Sequence, residues 1–255
     1  MRAASSLLTQ VRRAGRAWQS GTATARMPSA QVYEQEYVYW PWGKVLSEAA
    51  AIVEACCVEP ALVIDYMCGT GFLLNEIVSK RPEISALGCD ISRPYMDYAR
   101  RRYPGVRFVR HDALEYEPAR CPDFITCTAG LHHLPRKDQP MFVEKVASEL
   151  PSGGYFLVGE EIIGEYSDEK QRRRALLEMV WELMEFLETT GAPEAVVQAA
   201  ADMLVNEWCE RGEYKTSGMR LEAMLSRHFS ILSARQVWPA EPAGFGDWLF
   251  LCQKK

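Results

Sequence analysis

Between Ala61 and Ile163 the chain alternates short apolar runs with stretches of helical character, and this alternation limits the fold more than any other feature. The runs are ALVIDYM (61–67), ALGCDI (86–91), VRFVRHDA (106–113), DFITCTA (123–129) and YFLVGEEII (155–163). Continuous apolar runs of this length read as strands buried on both faces. The intervening segments predict helices over 71–80, over about 94–103 with Ser92 as cap and Pro94 in the first turn, and over about 138–150. Strands joined by helices of about ten residues require right-handed crossovers and a parallel sheet covered on both sides. Ligands of such sheets bind at the carboxyl ends of the strands, near the point where strand order reverses.

The alternation stops at Ser167. Leu176, Leu177, Val180, Leu183, Met184 and Leu187 keep helical spacing, with Glu178, Glu182, Glu185 and Glu188 on the other side. Gly191 and Pro193 punctuate the join to a second helix ending near Trp208. The 167–212 segment therefore reads as a two-helix insertion, serving as a cap over the strand ends, as a packing or homodimer element, or as both. After a further helix from about Ser217, ILSARQVW and WLFLCQ form a closing antiparallel pair.

One stretch carries more chemical information than the rest. VIDYMCGTGFL (63–73) passes from strand through glycines into helix. GCDIS (88–92) ends a strand in an acid about 20 residues later, RHDAL (110–114) follows the third strand, and DFITCTAGLHHLP (123–135) spans the fourth. In this order and spacing the four segments resemble the class I S-adenosylmethionine-dependent methyltransferase family, over roughly residues 60–163 and more weakly in the closing strands. The resemblance implies an α/β, Rossmann-like, doubly wound and mostly parallel sheet of seven strands, the last antiparallel. It also implies S-adenosyl-L-methionine as cofactor and methylation as the reaction.

By the same resemblance, Asp65 organises the turn and faces the cofactor's ammonium, beside Cys68. Gly69 and Gly71 admit close backbone approach, with the positive end of the next helix behind them. Asp90 accepts both ribose hydroxyls, Ile91 packs on adenine, Asp112 accepts the adenine amino group beside Ala113, and Thr128 and Ala129 border the methionine portion with Gly130. Met67 departs from the pattern, which has glycine there. Its side chain either fills the core or reshapes the floor under the cofactor, and the retained Gly69 and Gly71 favour the first.

Methyl transfer needs an acceptor held in line and, for many acceptors, a proton removed. His132 and His133 at the mouth of the fourth strand, and Glu160 at the end of the fifth, are the candidate catalytic groups. A satisfied loop histidine is the bland alternative. Strand alternation sends Glu160 and Glu161 to opposite faces, so at most one is expected in a substrate pocket. The aromatic segment VYEQEYVYWPWGK (32–44) supplies Tyr37, Tyr39 and Trp40 as candidate lid and substrate contacts, or else anchors an N-terminal helix to the sheet. The expected organisation is a leader over 1–28, a helical lid over 29–58 and the catalytic domain over 59–255.

Charge and cysteine usage narrow the partners. A net charge of −5 argues against nucleic acid, and KQRRR (170–174) is the basic run of the folded part, expected as a solvated helix start. No span is apolar enough for a membrane helix. The eight cysteines are scattered and few histidines accompany them, so no metal site is expected. Residues 1–28 are rich in arginine and lack acids, which fits a mitochondrial transit peptide, a disordered leader, or translation from Met27. Without a transit peptide the cytoplasm is expected. The resulting expectation is methyl transfer to an oxygen or nitrogen of a small-molecule acceptor, with an RNA or protein acceptor, or a non-methylating scaffold, as the alternatives.

Overall fold

The structure is a computed structural model that describes residues 27–58 and 60–255. The expected leader falls almost wholly outside the described residues. Two helices, α1 (Ala30–Tyr39) and α2 (Trp42–Cys56), precede β1 (Leu62–Tyr66). There follow α3 (Phe72–Lys80), β2 (Ser85–Asp90), α4 (Arg93–Arg102), β3 (Arg107–Arg110), β4 (Phe124–Thr128), α5 (Gln139–Glu149) and β5 (Tyr155–Ile162). The insertion is α6 (Glu169–Thr189) and α7 (Glu194–Trp208), and the chain closes with α8 (Gly218–Leu225), β6 (Phe229–Trp238) and β7 (Gly246–Lys254).

The seven strands form one sheet in the order β3-β2-β1-β4-β5-β7-β6, with β7 antiparallel to its neighbours and the other six parallel. Strand order reverses between β1 and β4. Alternation along each strand feeds two cores. Val63, Phe124 and Leu157 face the side covered by α2 and α3, while Ile64, Ile125, Phe156 and Val158 face α5 and α8. Doubly buried strands need no polar face, which is why their sequences read as unbroken apolar runs.

The insertion follows the predicted periodicity, with Leu176, Val180, Leu183, Met184 and Leu187 buried and Leu177 45% exposed. Lys170 and Arg174 are exposed as expected of a solvated start, and Arg172 is the correction to it. Arg172 is fully buried, its guanidinium 2.6 Å from Glu207 and 2.8 Å from Glu169, because α7 brings a buried carboxylate against it. Arg173 and Arg174 pair with Glu169 and Glu178. Among the described residues no helix is long and apolar enough to cross a membrane.

Gly71 opens α3 at φ +82°, and a Cβ there would lie 2.5 Å from the Phe108 ring of β3. The missing side chain at Gly71 thus also lets the start of α3 pack closely on β3. Gly71→Ala is expected to destabilise the protein by about 1–2 kcal/mol from the left-handed backbone alone, measurable by denaturant titration.

Candidate active site

The carboxyl ends of β1, β2 and β4 converge at the reversal point. The turn after β1 runs through left-handed backbone at Met67 (φ +55°) and Gly69 (φ +54°), which explains why glycine suits position 67. Met67 pays this strain while its side chain packs on Gly130 and the α5-side core. The core-facing alternative for this residue is the one the structure adopts.

Asp65 is buried and its Oδ1 accepts a 2.7 Å hydrogen bond from the Thr126 hydroxyl. Burial pushes its carboxyl up to about 7, with the Asp90 charge adding and the Thr126 bond opposing. Asp90 accepts from the Gly69 amide at 2.9 Å and the Ser92 amide at 2.7 Å, so one carboxylate ties the glycine turn to the start of α4. Burial raises Asp90 as well, against the pull of those two bonds. Ile91 beside it is 63% exposed, unusual for so large an apolar group. Asp112 is half-buried, its Oδ1 accepting from the Leu114 amide at 2.8 Å, and Ala113 is buried behind it. Thr128 is buried, and Ala129 holds a left-handed φ of +49°.

Helix α1 lies over this turn. A Cβ on Gly69 would meet the Tyr33 ring at 3.0 Å, and Tyr33 stacks on Tyr95 with centroids 5.1 Å apart. The Tyr37 hydroxyl is 3.3 Å from that of Thr70. Glu34 fixes the helix by accepting from the hydroxyls of Tyr98 and Tyr103 at 2.8 and 2.9 Å. Trp40 is buried with its indole N–H unpartnered. Tyr39 packs against the α2-side core and is not in the lining of either cavity described next.

Two cavities meet here. The smaller reaches Asp65, Cys68 and Thr128, and the larger, about 60 Å³, is lined by Glu36, Trp40, His133, Glu161, Glu213 and Lys215 among others. They share Tyr33, Trp42 and Ala129 as a common wall.

Glu160 does not line the larger cavity. Its Oε1 accepts from the amides of Gly130 and Leu131, and its Oε2 lies 2.6 Å from His132 Nδ1, so it holds the turn after β4 and corrects the expectation of a catalytic acid. His132 Nε2 faces Glu213 at 3.4 Å. Burial and Lys215 favour neutral His132, yet Glu160 and Glu213 outweigh them and raise its pKa. With both nitrogens turned to carboxylates it is a poor base. His133 is the opposite case: burial lowers its pKa, and Nδ1 lies 2.8 Å from the Gly212 carbonyl, an acceptor, so Nδ1 carries the proton and Nε2 the lone pair.

Sequence reading missed Glu36, Glu213 and Lys215, and held Tyr33 and Trp42 only as members of the aromatic 32–44 segment. The segment 213–217 looks like a polar loop, but the Ile163 amide bonds the Thr216 carbonyl and Ser217 bridges Ile163, which buries Lys215 against β5. Its ammonium lies 2.7 Å from Glu213 and 3.0 Å from Glu161. Burial would push Glu213 up, but Lys215 and the two histidines hold it at about 2. His132, His133 and Glu213 also bring ligand atoms within 4.8 Å of one another, a grouping not expected from the sequence. Lys215 supplies the positive charge Glu213 faces there.

Residues 63–154 match the family described as "Methyltransferase domain". Over those residues the chain carries a methyltransferase domain. Over 99 residues the chain is 35% identical to a trans-aconitate 2-methyltransferase of Methylobacterium nodulans, covering 39% of this chain and 38% of that protein. It is 24% identical over 120 residues to the tRNA N(3)-methylcytidine methyltransferase trm141 of Schizosaccharomyces pombe, covering 44% and 48% respectively. The match thus spans less than half the length of either relative. The fold extends further: the 1,6-didemethyltoxoflavin-N1-methyltransferase of Burkholderia thailandensis superposes with a TM-score of 0.53 at 18% identity, over 91% of this chain and 92% of that one.

Proposed function

We propose that this methyltransferase moves the methyl group of S-adenosylmethionine to an oxygen or nitrogen of a small-molecule acceptor. The observation that carries the reading is the pair of adjoining cavities, one reaching the glycine turn and one walled by polar groups, separated by Tyr33, Trp42 and Ala129. The residues fit the cofactor: Asp65 is a buried carboxyl with no cation beside it among the described residues, and Ile91 is an exposed apolar surface next to the Asp90 carboxylate. Asp65 would take the ammonium, Asp90 the ribose hydroxyls, Ile91 a face of the adenine, and Asp112, with Ala113 alongside, its amino group. Cys68, Thr128 and Ala129 would border the methionine portion. The bound cofactor supplies the electrophilic methyl.

The chain's own part is to orient the acceptor, exclude water and remove a proton where one must leave. His133 Nε2, with its lone pair free and its ring in the cavity wall, suits the last task. An RNA acceptor is disfavoured by the neutralised 172–174 run and the net charge of −5.

Calorimetric titration with S-adenosylhomocysteine tests the reading. Because Asp65 is held at about 7 and would ionise against the ligand's ammonium, binding below that pH should release a proton. Affinity is then expected to rise by up to about tenfold per pH unit from pH 5 to 7 and to level off above. Asp65→Asn should abolish this dependence. Absence of S-adenosylhomocysteine binding at any pH would refute the reading.

A further inference from the structure

Glu36 is 3% exposed, lines the larger cavity, and has no hydrogen bond or ion pair among the described residues. A buried carboxylate without a partner is costly. Its charged surroundings deepen the cost, since the groups acting on it are Glu161 and Glu213, both acidic. The local cation is already committed: Lys215 bridges Glu161 and Glu213, and the carboxyl of Asp247, opposite Glu161 in the β5–β7 register, adds to the same neighbourhood. His132 is engaged by Glu160. Of the three carboxylates at the cavity, two are bridged by the Lys215 ammonium and Glu36 is left without a cation among the described residues.

The wall beside Glu36 is aromatic. Tyr33, Trp40 and Trp42 line the same cavity, and the Trp40 indole N–H is a second buried polar group without a partner. Aromatic faces next to an uncompensated carboxylate form the setting in which a protonated amine gains both an ion pair and cation–π contacts.

We propose that the acceptor carries a protonated amine, held by Glu36 against Tyr33, Trp40 and Trp42. This rests on the methyltransferase reading above and narrows its substrate class. The amine is the recognition group, and the methylated atom is a separate matter. Burial together with Glu161 and Glu213 raises the Glu36 pKa, so a cation arriving beside it restores the ionised form. The same charge pattern repels a polycarboxylate such as trans-aconitate, the substrate named for one relative.

The test uses the full chain saturated with S-adenosylhomocysteine at pH 7.5 and calorimetry against matched probes. These are a size series of amines from methylamine through phenethylamine to tryptamine, the neutral 2-phenylethanol, the anionic 3-phenylpropanoate, and Zn²⁺ alone. At least one amine is expected to bind at least about tenfold more tightly than the alcohol and the carboxylate. Glu36→Gln, which keeps the shape and removes the charge, should weaken that amine about tenfold or more while S-adenosylhomocysteine affinity stays within about threefold. The inference is overturned if no amine binds to the saturated protein, if the alcohol or carboxylate binds as well, or if Glu36→Gln leaves amine binding unchanged. Zn²⁺ binding without amine binding would make the His132–His133–Glu213 grouping a metal site and overturn it likewise. Failure of S-adenosylhomocysteine itself to bind would instead strike the underlying methyltransferase reading.

Discussion

Lys215→Met is expected to lower the melting temperature by roughly 6–20 °C, from a loss of about 3–5 kcal/mol. The lysine is fully buried and its ammonium is the shared partner of Glu161 and Glu213. Removing it leaves two buried carboxylates facing each other and Glu36. The pH dependence gives the sign. In the native protein Glu213 is held at about 2, below its unfolded value, so its contribution is complete above about pH 4.5 and is lost as pH falls toward 2. In the variant the same carboxyl has lost the ammonium that lowered it, so acidification relieves strain instead of causing it. The gap between native and variant melting curves should narrow from pH 7 to pH 4.5. A variant that melts with the native protein at pH 7 would show that Lys215 does not carry the cluster.

Asp90→Ala is expected to weaken S-adenosylhomocysteine binding by at least about 100-fold, since two hydroxyl bonds to a charged acceptor are worth about 1.5–3 kcal/mol each. The change acts twice, because the carboxylate also accepts the Gly69 and Ser92 amides and so sets the shape of the turn that would receive the ligand. Calorimetry on protein shown to be folded by circular dichroism measures the effect. Binding within a few-fold of native would remove Asp90 from the cofactor site.

The sheet was legible because a doubly covered parallel strand has one requirement, burial on both faces, and an unbroken run such as 61–67 states it directly. The insertion was legible for a similar reason, its apolar residues repeating at helical spacing. Met67 could be placed only as an alternative, since the sequence carries no sign of its φ. The charged half of the site was hidden by a different physics. Glu36 sits on a helix whose pattern is mixed, and nothing local distinguishes a glutamate facing solvent from one turned inward under α7. Lys215 and Glu213 belong to a segment that would be a polar loop if it were not drawn against β5 by Ile163. Glu160 and Glu161 were read correctly as alternating, but which of them faced the cavity depended on where the turn after β4 needed an acceptor.

Helix α1 carries Tyr33 and Tyr37 toward the glycine turn and Glu36 toward the neighbouring cavity, where Trp40 follows at its C-cap. One rigid ten-residue element thus touches both compartments. A molecule that displaced the Tyr33 ring from Gly69 would act on the same helix that holds Glu36. Occupancy of either compartment then changes affinity in the other by the same factor, as reciprocity demands. Residence times should follow suit: departure of a spent ligand waits on undocking of the helix, whose grip is the Glu34 bridge to Tyr98 and Tyr103.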